Sequence, residues 1–179
     1  MSGYFTKKVA FIGFMGSGKS SLARRLARKL QSSSADVDAF IIRESGLEID
    51  ELFSEFGENV FRDWETHALQ KILLTDIQFI ACGGGIVDRQ ENIDLLKENC
   101  YIIYLKASPE NSYERVSNLQ SRPLLADKQA ASLLFDNRMP IYEKVADAII
   151  SIDNKQLSNI IFDVIVQMKR QGVLCQMQE

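Results

Sequence analysis

The chain has 179 residues, 46% of them hydrophobic and 25% charged, with a net charge of -3. That length suits one domain with a real core, and the charge gives no general attraction to nucleic acid, so any anion site must be local. No apolar stretch is long enough to span a membrane. Residues 1–8 carry no signal-peptide core, and Cys82, Cys100 and Cys175 lack metal-type spacing, which suits reduced cytosolic thiols.

The apolar run Val9-Ala10-Phe11-Ile12 predicts a buried first strand over residues 8–12. It leads into Gly13-Phe14-Met15-Gly16-Ser17-Gly18-Lys19-Ser20, which matches G-x-x-x-x-G-K-[ST] at every fixed position. Leu22, Ala23, Leu26, Ala27 and Leu30 then recur at helical spacing. A strand, a glycine turn and a helix start direct a row of backbone N–H groups at one spot, where anions are favoured. Gly13, Gly16, Ser17, Gly18, Lys19, Ser20 and Ser21 are therefore candidate nucleotide-binding residues, with Lys19 reaching the β- and γ-phosphates and Ser20 a ligand to Mg²⁺. The ligand expected is a nucleoside triphosphate.

A weak second strand is expected near residues 33–37, with helical sequence from Ala39. Further helices are expected around residues 49–56 and 60–74, the latter with Phe61, Trp64, Ala68, Leu69 and Ile72 on one side. Phe79-Ile80-Ala81-Cys82 reads as a short buried strand ending in Gly83-Gly84-Gly85, and residues 101–105 as the clearest strand. Ser108-Pro109-Glu110 has the pattern of a helix start. Residues 148–152 predict the last strand and residues 156–170 the closing helix. Five apolar strands separated by helices predict an α/β fold: three layers, with a central five-stranded parallel sheet covered on both faces. Ligands bind beyond the carboxyl ends of such strands. The phosphate loop, the Asp36–Asp38 segment and Gly83-Gly84-Gly85 all fall there, in one expected cleft.

The loop alone does not separate kinase from ATPase or GTPase. A guanine-reading Asn-Lys-x-Asp is absent, and the strand before Gly83 ends without a magnesium-organising acid. A small chain with acids after its second strand looks more like a kinase of a small acceptor. Asp36 and Asp38, two apart at a strand end, point the same way. One could organise Mg²⁺ through its water shell and the other accept a hydroxyl proton. Equally, Asp38 could merely cap the next helix.

Residues 13–20, Asp36-Val37-Asp38, Phe61-Arg62-x-x-Glu65, Gly83-Gly84-Gly85, Arg122-Pro123-Leu124-Leu125 and Arg138-x-Pro140-x-Tyr142 stand in the order and spacing of one family and cover nearly the whole chain. In them the sequence resembles shikimate kinase, a P-loop kinase of the nucleoside monophosphate kinase-like superfamily. The resemblance implies transfer of a phosphoryl group from ATP, with Mg²⁺, to the 3-hydroxyl of shikimate, giving shikimate 3-phosphate on the way to chorismate and the aromatic amino acids. It implies Arg62 and Arg138 as a clamp on the acceptor carboxylate, Asp38 as the base that holds the ring hydroxyls, and Asp36 as organiser of the Mg²⁺ water shell. Gly83, Gly84 and Gly85 would lie against the acceptor, and Glu65 could fix the Arg62 rotamer. Arg122 would reach the transferring phosphate from a mobile lid over residues 115–128, and Arg115 would stack on adenine. The acceptor-binding segment would cover residues 36–74 of a single domain, 1–179. The chain is expected to be cytoplasmic and monomeric, with no nucleic-acid or membrane partner. Alternatives are another small-molecule kinase of gluconate or nucleoside-monophosphate type, or a nucleotide-binding domain whose acceptor site has decayed.

Several residues also have plainer readings. Arg62 could be an exposed helix residue paired with Glu65, Arg138 a surface arginine and Arg122 a loop charge. His67 reads as a solvated helix residue, Trp64 as core and Cys82 as a small buried residue. The sequence departs from the family at Val37, where Ser or Thr is usual, at Cys82, where Ser or Thr is common, and at Ser32-Ser33-Ser34-Ala35, usually apolar. A serine-rich central strand would pack poorly.

Overall fold

The computed structural model describes residues 3–108 and 128–176. Its elements in chain order are β1 (Gly3–Phe5), β2 (Lys8–Ile12), α1 (Lys19–Lys29), β3 (Ser34–Asp36), α2 (Val37–Ser45), α3 (Ile49–Leu73) and β4 (Phe79–Ala81). A 3₁₀ turn at Ile86–Asp88 follows, then α4 (Gln90–Asn99), β5 (Cys100–Lys106), α5 (Lys128–Val145), β6 (Ala148–Ser151), α6 (Leu157–Arg170) and β7 (Leu174–Gln176). The helix start expected at Ser108-Pro109-Glu110, together with Arg115, Arg122 and the lid segment up to residue 127, lies outside the described residues.

Five strands form the expected parallel sheet in the order β3-β4-β2-β5-β6. Because strand side chains alternate between faces, β2 feeds two cores. Ala10 and Ile12 pack with Ile41, Leu69 and Tyr142 on the face covered by α2, α3, α4 and α5. Val9 and Phe11 pack with Leu22, Leu26 and Val164 on the face covered by α1 and α6. The order reverses at β2, between β4 and β5, so the crevice beyond its carboxyl end is the place for a ligand.

Two expectations need correction. The serine-rich β3 is an edge strand, not a central one. At an edge, serine meets a mixed environment: the Gln78 backbone N–H bonds the Ser33 carbonyl and hydroxyl at 3.3 and 3.2 Å, and that hydroxyl donates to the Asp76 carbonyl at 3.0 Å. The second correction concerns the acids. The helix α2 starts at Val37, so Asp36 ends the strand while Asp38 sits in the first helical turn, and strand alternation does not align them. Asp36 is the cap: its Oδ1 accepts from the Ala39 N–H at 3.1 Å.

Three features had no expectation. The strands β1 and β7 pair antiparallel in a second, two-stranded sheet, and α4 and α5 are additional helices. The helical stretches expected on either side of residue 57 are both present, as the two arms of α3 that meet at a kink where Gly57 leaves helical geometry (φ 81°, ψ 170°). The break has a use: residues eight apart on a straight helix are separated by about 12 Å, yet the Phe53 and Phe61 ring centroids lie 4.4 Å apart, the planes tilted by 32°. No helix among the described residues is long and apolar enough to cross a membrane.

Candidate functional site

The phosphate loop joins β2 to α1. Gly13 has φ +141°, and a Cβ there would lie 2.7 Å from the Leu105 carbonyl oxygen, so only glycine lets the loop lie against β5. The first turn of α1 holds no acid and its last turn holds Arg28 and Lys29, so nothing offsets the positive field at the amino end. Lys19 is buried, and its Nζ donates to the Gly13 and Phe14 carbonyls, both at 2.8 Å, and to Ser17 Oγ at 3.2 Å. The loop thus carries its own cation.

In front of it lies a cavity of about 260 Å³ whose wall includes Gly16, Gly18, Lys19, Ser20, Ser21 and Asp36. Gly13 and Ser17 do not line it; they hold the loop and receive the Lys19 ammonium. Ser20 and Asp36 bring hard oxygen donors to one wall, which suits Mg²⁺. No cluster of three or more His, Cys, Asp or Glu that could hold a metal occurs among the described residues.

A second cavity, of about 270 Å³, adjoins the first. Met15, Asp38, Gly83 and Gly84 belong to both walls, so Asp38 stands at the seam. Apolar side chains from α2 and α3 (Ile42, Ile49, Phe53 and Phe61) form one side, which the break at Gly57 makes possible. Arg62, Glu65, Arg138 and Gly85 form the other. An apolar wall facing two guanidiniums is a receptacle for a small anion with a carbon ring or chain.

Both arginines are buried, so the surface readings of Arg62 and Arg138 do not hold. Arg62 is on α3, and its Nη1 donates to Glu65 Oε2 while its Nη2 bonds Glu58 at 3.0 Å and Asp88 at 2.9 Å. Arg138 is on α5, and its Nε donates to Asp88 Oδ1 at 2.9 Å and its Nη2 to Asp88 Oδ2. Four residues further along the same face of α5, the Tyr142 hydroxyl donates to the Gly84 carbonyl. Burial opposes the Arg62 charge, but Glu65, Asp88 and Glu58 outweigh it and raise its pKa above the ordinary value. Burial pushes the Glu65 carboxyl up to about 7 against the opposing pull of Arg62, with Asp38 and Asp88 adding to the rise. Glu65 Oε1 is buried without a hydrogen-bond partner.

The glycines clear space for these side chains. A Cβ on Gly85 would lie 2.0 Å from Arg62 Nη1, and one on Gly83 would lie 2.8 Å from Asp38 Oδ1 and 2.9 Å from Glu65 Oε1. Gly84 is roomier, with its nearest neighbour at 3.6 Å. Cys82, beside them, is buried, and that burial raises its thiol pKa well above the ordinary value, which leaves it inert. His67 is exposed on α3, edge-on to Trp64 at 6.1 Å, away from both cavities.

The structure therefore gathers Asp36, Asp38, Lys19, Ser20, Arg62, Arg138 and the glycines around two joined cavities; Arg115 and Arg122 lie outside the described residues. Sequence reasoning missed Asp88, which bonds both arginines, and the apolar wall from Ile42, Ile49 and Phe53. The only local signal for Asp88 was its place three residues after the last glycine of the triplet.

The family model described as shikimate kinase matches residues 15–169. A shikimate kinase of Thermodesulfovibrio yellowstonii is 42% identical over 141 residues, covering 77% of this chain and 82% of that protein. One of Dehalococcoides mccartyi is 38% identical over 154 residues, covering 85% and 88%. The solved structure of a shikimate kinase from Acinetobacter baumannii in complex with shikimate superposes with a TM-score of 0.89 at 27% identity, covering 93% of this chain and 95% of that one.

Proposed function

The chain belongs to the shikimate kinase family, and from that premise we propose how its residues carry out the family reaction, transfer of the γ-phosphoryl group of ATP to the 3-hydroxyl of shikimate. The observation that carries the assignment of roles is the pair of joined cavities with Asp38 at their seam.

ATP places its phosphates in the cavity in front of the phosphate loop, against the backbone of the loop and the start of α1. Lys19, already held beside Gly13 and Phe14, exchanges those carbonyls for phosphate oxygens. Ser20, directly, and Asp36, through the water shell, would hold Mg²⁺, which when bound would neutralise phosphate charge. Shikimate occupies the adjoining cavity, its ring on Phe53 and Phe61 and its carboxylate on Arg62 and Arg138, as paired charge-assisted hydrogen bonds require. Gly83, Gly84 and Gly85 bring the floor close beneath the ring. Asp38 orients the 3-hydroxyl and takes its proton as the oxygen attacks phosphorus in line. Arg122 supplies a cation to the transferring group from the lid over residues 115–128, and Arg115 stacks on adenine. Residues 36–74 are the acceptor-binding segment of one domain spanning 1–179. Most of the rate comes from positioning and charge neutralisation. We place the protein in the cytoplasm as a monomer, without nucleic-acid or membrane partners.

An ADP-release assay tests this reading. ADP should form with shikimate and Mg²⁺, and not with gluconate or nucleoside monophosphates in its place. Equal rates with and without shikimate would refute it.

A further inference from the structure

The two arginines of the acceptor cavity are joined by a carboxylate that the reaction does not use. Asp88 takes the side-on fork of Arg138, Nε–H and one N–H of Nη2, and its Oδ2 also lies 2.9 Å from Arg62 Nη2. A guanidinium has five N–H donors, so this fork leaves Arg138 with the two N–H groups of Nη1 and one of Nη2. Among the described residues Nη1 donates to no protein oxygen, and it lies 3.8 Å from where Gly84 would carry a Cβ. Gly84 and Arg138 both line the acceptor cavity, whereas Asp88 does not. The end-on edge of Arg138 therefore faces the cavity while the side-on edge is held from outside it.

Asp88 is itself well fixed. It ends the 3₁₀ turn Ile86–Asp88, whose first two side chains are buried. Its N–H bonds the Gly85 carbonyl at 2.9 Å. The next residue, Arg89, is tied to Asp63 at 2.6 Å and to the Asn59 carbonyl at 3.1 Å on α3. The same turn thus follows the glycine floor and reaches both helices that bear the arginines. Two buried like charges side by side repel, and a carboxylate between them offsets that repulsion.

We propose that Asp88 is a positioning residue for the acceptor clamp: by bonding Arg62 and Arg138 together from outside the cavity, it sets both guanidiniums in the orientation that receives the acceptor carboxylate. The inference rests on the reading of those arginines as the clamp.

Asp88→Ala and the near-isosteric Asp88→Asn, compared with Arg138→Ala, test it by initial rates at varied shikimate and varied ATP. Loss of a buried charged hydrogen bond should raise the shikimate KM about tenfold in Asp88→Ala, with kcat and the ATP KM within about twofold of the starting values. Asp88→Asn, which keeps one acceptor oxygen, should fall between. Because Asp88 acts through the two arginines, Asp88→Ala should raise the shikimate KM by a smaller factor in the Arg138→Ala background, where only Arg62 is left to position, than in the unaltered protein. The carboxamide of shikimate, which lacks the negative charge, should be used no worse by Asp88→Ala than by the unaltered protein. An unchanged shikimate KM in both Asp88 variants, with Arg138→Ala impaired, overturns the inference. So does a lowered KM, which would mean that Asp88 competes with the substrate for the arginines. If Arg138→Ala leaves the shikimate KM unchanged, the clamp reading itself fails.

Discussion

Replacing Gly85 by alanine isolates one contact in the site. Gly85 has φ -88°, which alanine adopts without strain, so the backbone raises no objection. The obstacle is steric: the added methyl would lie 2.0 Å from Arg62 Nη1 and 2.6 Å from Cζ and Nη2. Arg62 cannot step aside freely, because its buried guanidinium is held by Glu65, Glu58 and Asp88. Overpacking a filled site costs roughly 1–3 kcal/mol, and breaking a buried ion pair outright about 3–5 kcal/mol. Here Arg62 is pushed from Glu65 but keeps partly exposed acids within reach, so we expect a loss of about 3 kcal/mol, between those limits. For a chain of this size that lowers the melting temperature by roughly 6–12 °C. The shikimate KM should rise by about tenfold or more while the ATP KM changes little. The control is Gly84→Ala, whose methyl meets nothing closer than 3.6 Å and which should melt close to the unaltered protein. A Gly85→Ala protein with normal melting and a normal shikimate KM would show that Arg62 is not seated against that glycine.

Three other outcomes are expected. Asp38→Asn should cut turnover by about 10²–10⁴ while calorimetry still detects ATP binding; near-normal turnover would remove Asp38 as the base. Arg62→Ala and Arg138→Ala should each weaken shikimate binding by about 10–100-fold with little change for ATP, whereas equal losses for both ligands would argue against a carboxylate clamp. Glu65 has its carboxyl raised from 4.5 to about 7 in the folded chain, chiefly by burial. The folded state therefore holds this proton more tightly than the unfolded state, and the associated stability is whole below pH 4.5 and fades as pH rises through about 7. At about 1.4 kcal/mol per unit this amounts to about 3 kcal/mol, and Glu65→Gln should flatten that part of the denaturation profile. An unchanged slope in the glutamine variant would place the titration elsewhere.

Much of this was readable before any coordinates. The phosphate loop carries its own geometry in its glycines, and the apolar runs of β2, β4 and β5 announce strands buried on both faces. What escaped depends on long-range closeness. The bond between Asp88 and Arg138 spans 50 positions, and nothing near either residue signals the other. Three-residue strands such as β1 and β7 are too short for an alternation to register. The edge position of β3 is a matter of strand order, which local sequence does not encode, and so its serines looked misplaced. Asp36 and Asp38 show the same limit at close range: their roles turn on whether Val37 begins a helix, a boundary of one residue.

The wall that Met15, Asp38, Gly83 and Gly84 share between the two cavities has a consequence for inhibitor chemistry. A single molecule that tethers a cyclic acid to a polyphosphate through a short spacer could fill both compartments across that partition. Joined in this way, its second half binds at the high effective concentration set by the tether. Spacer length then becomes the design variable, and affinity plotted against it should peak where the spacer just clears the carboxylate of Asp38.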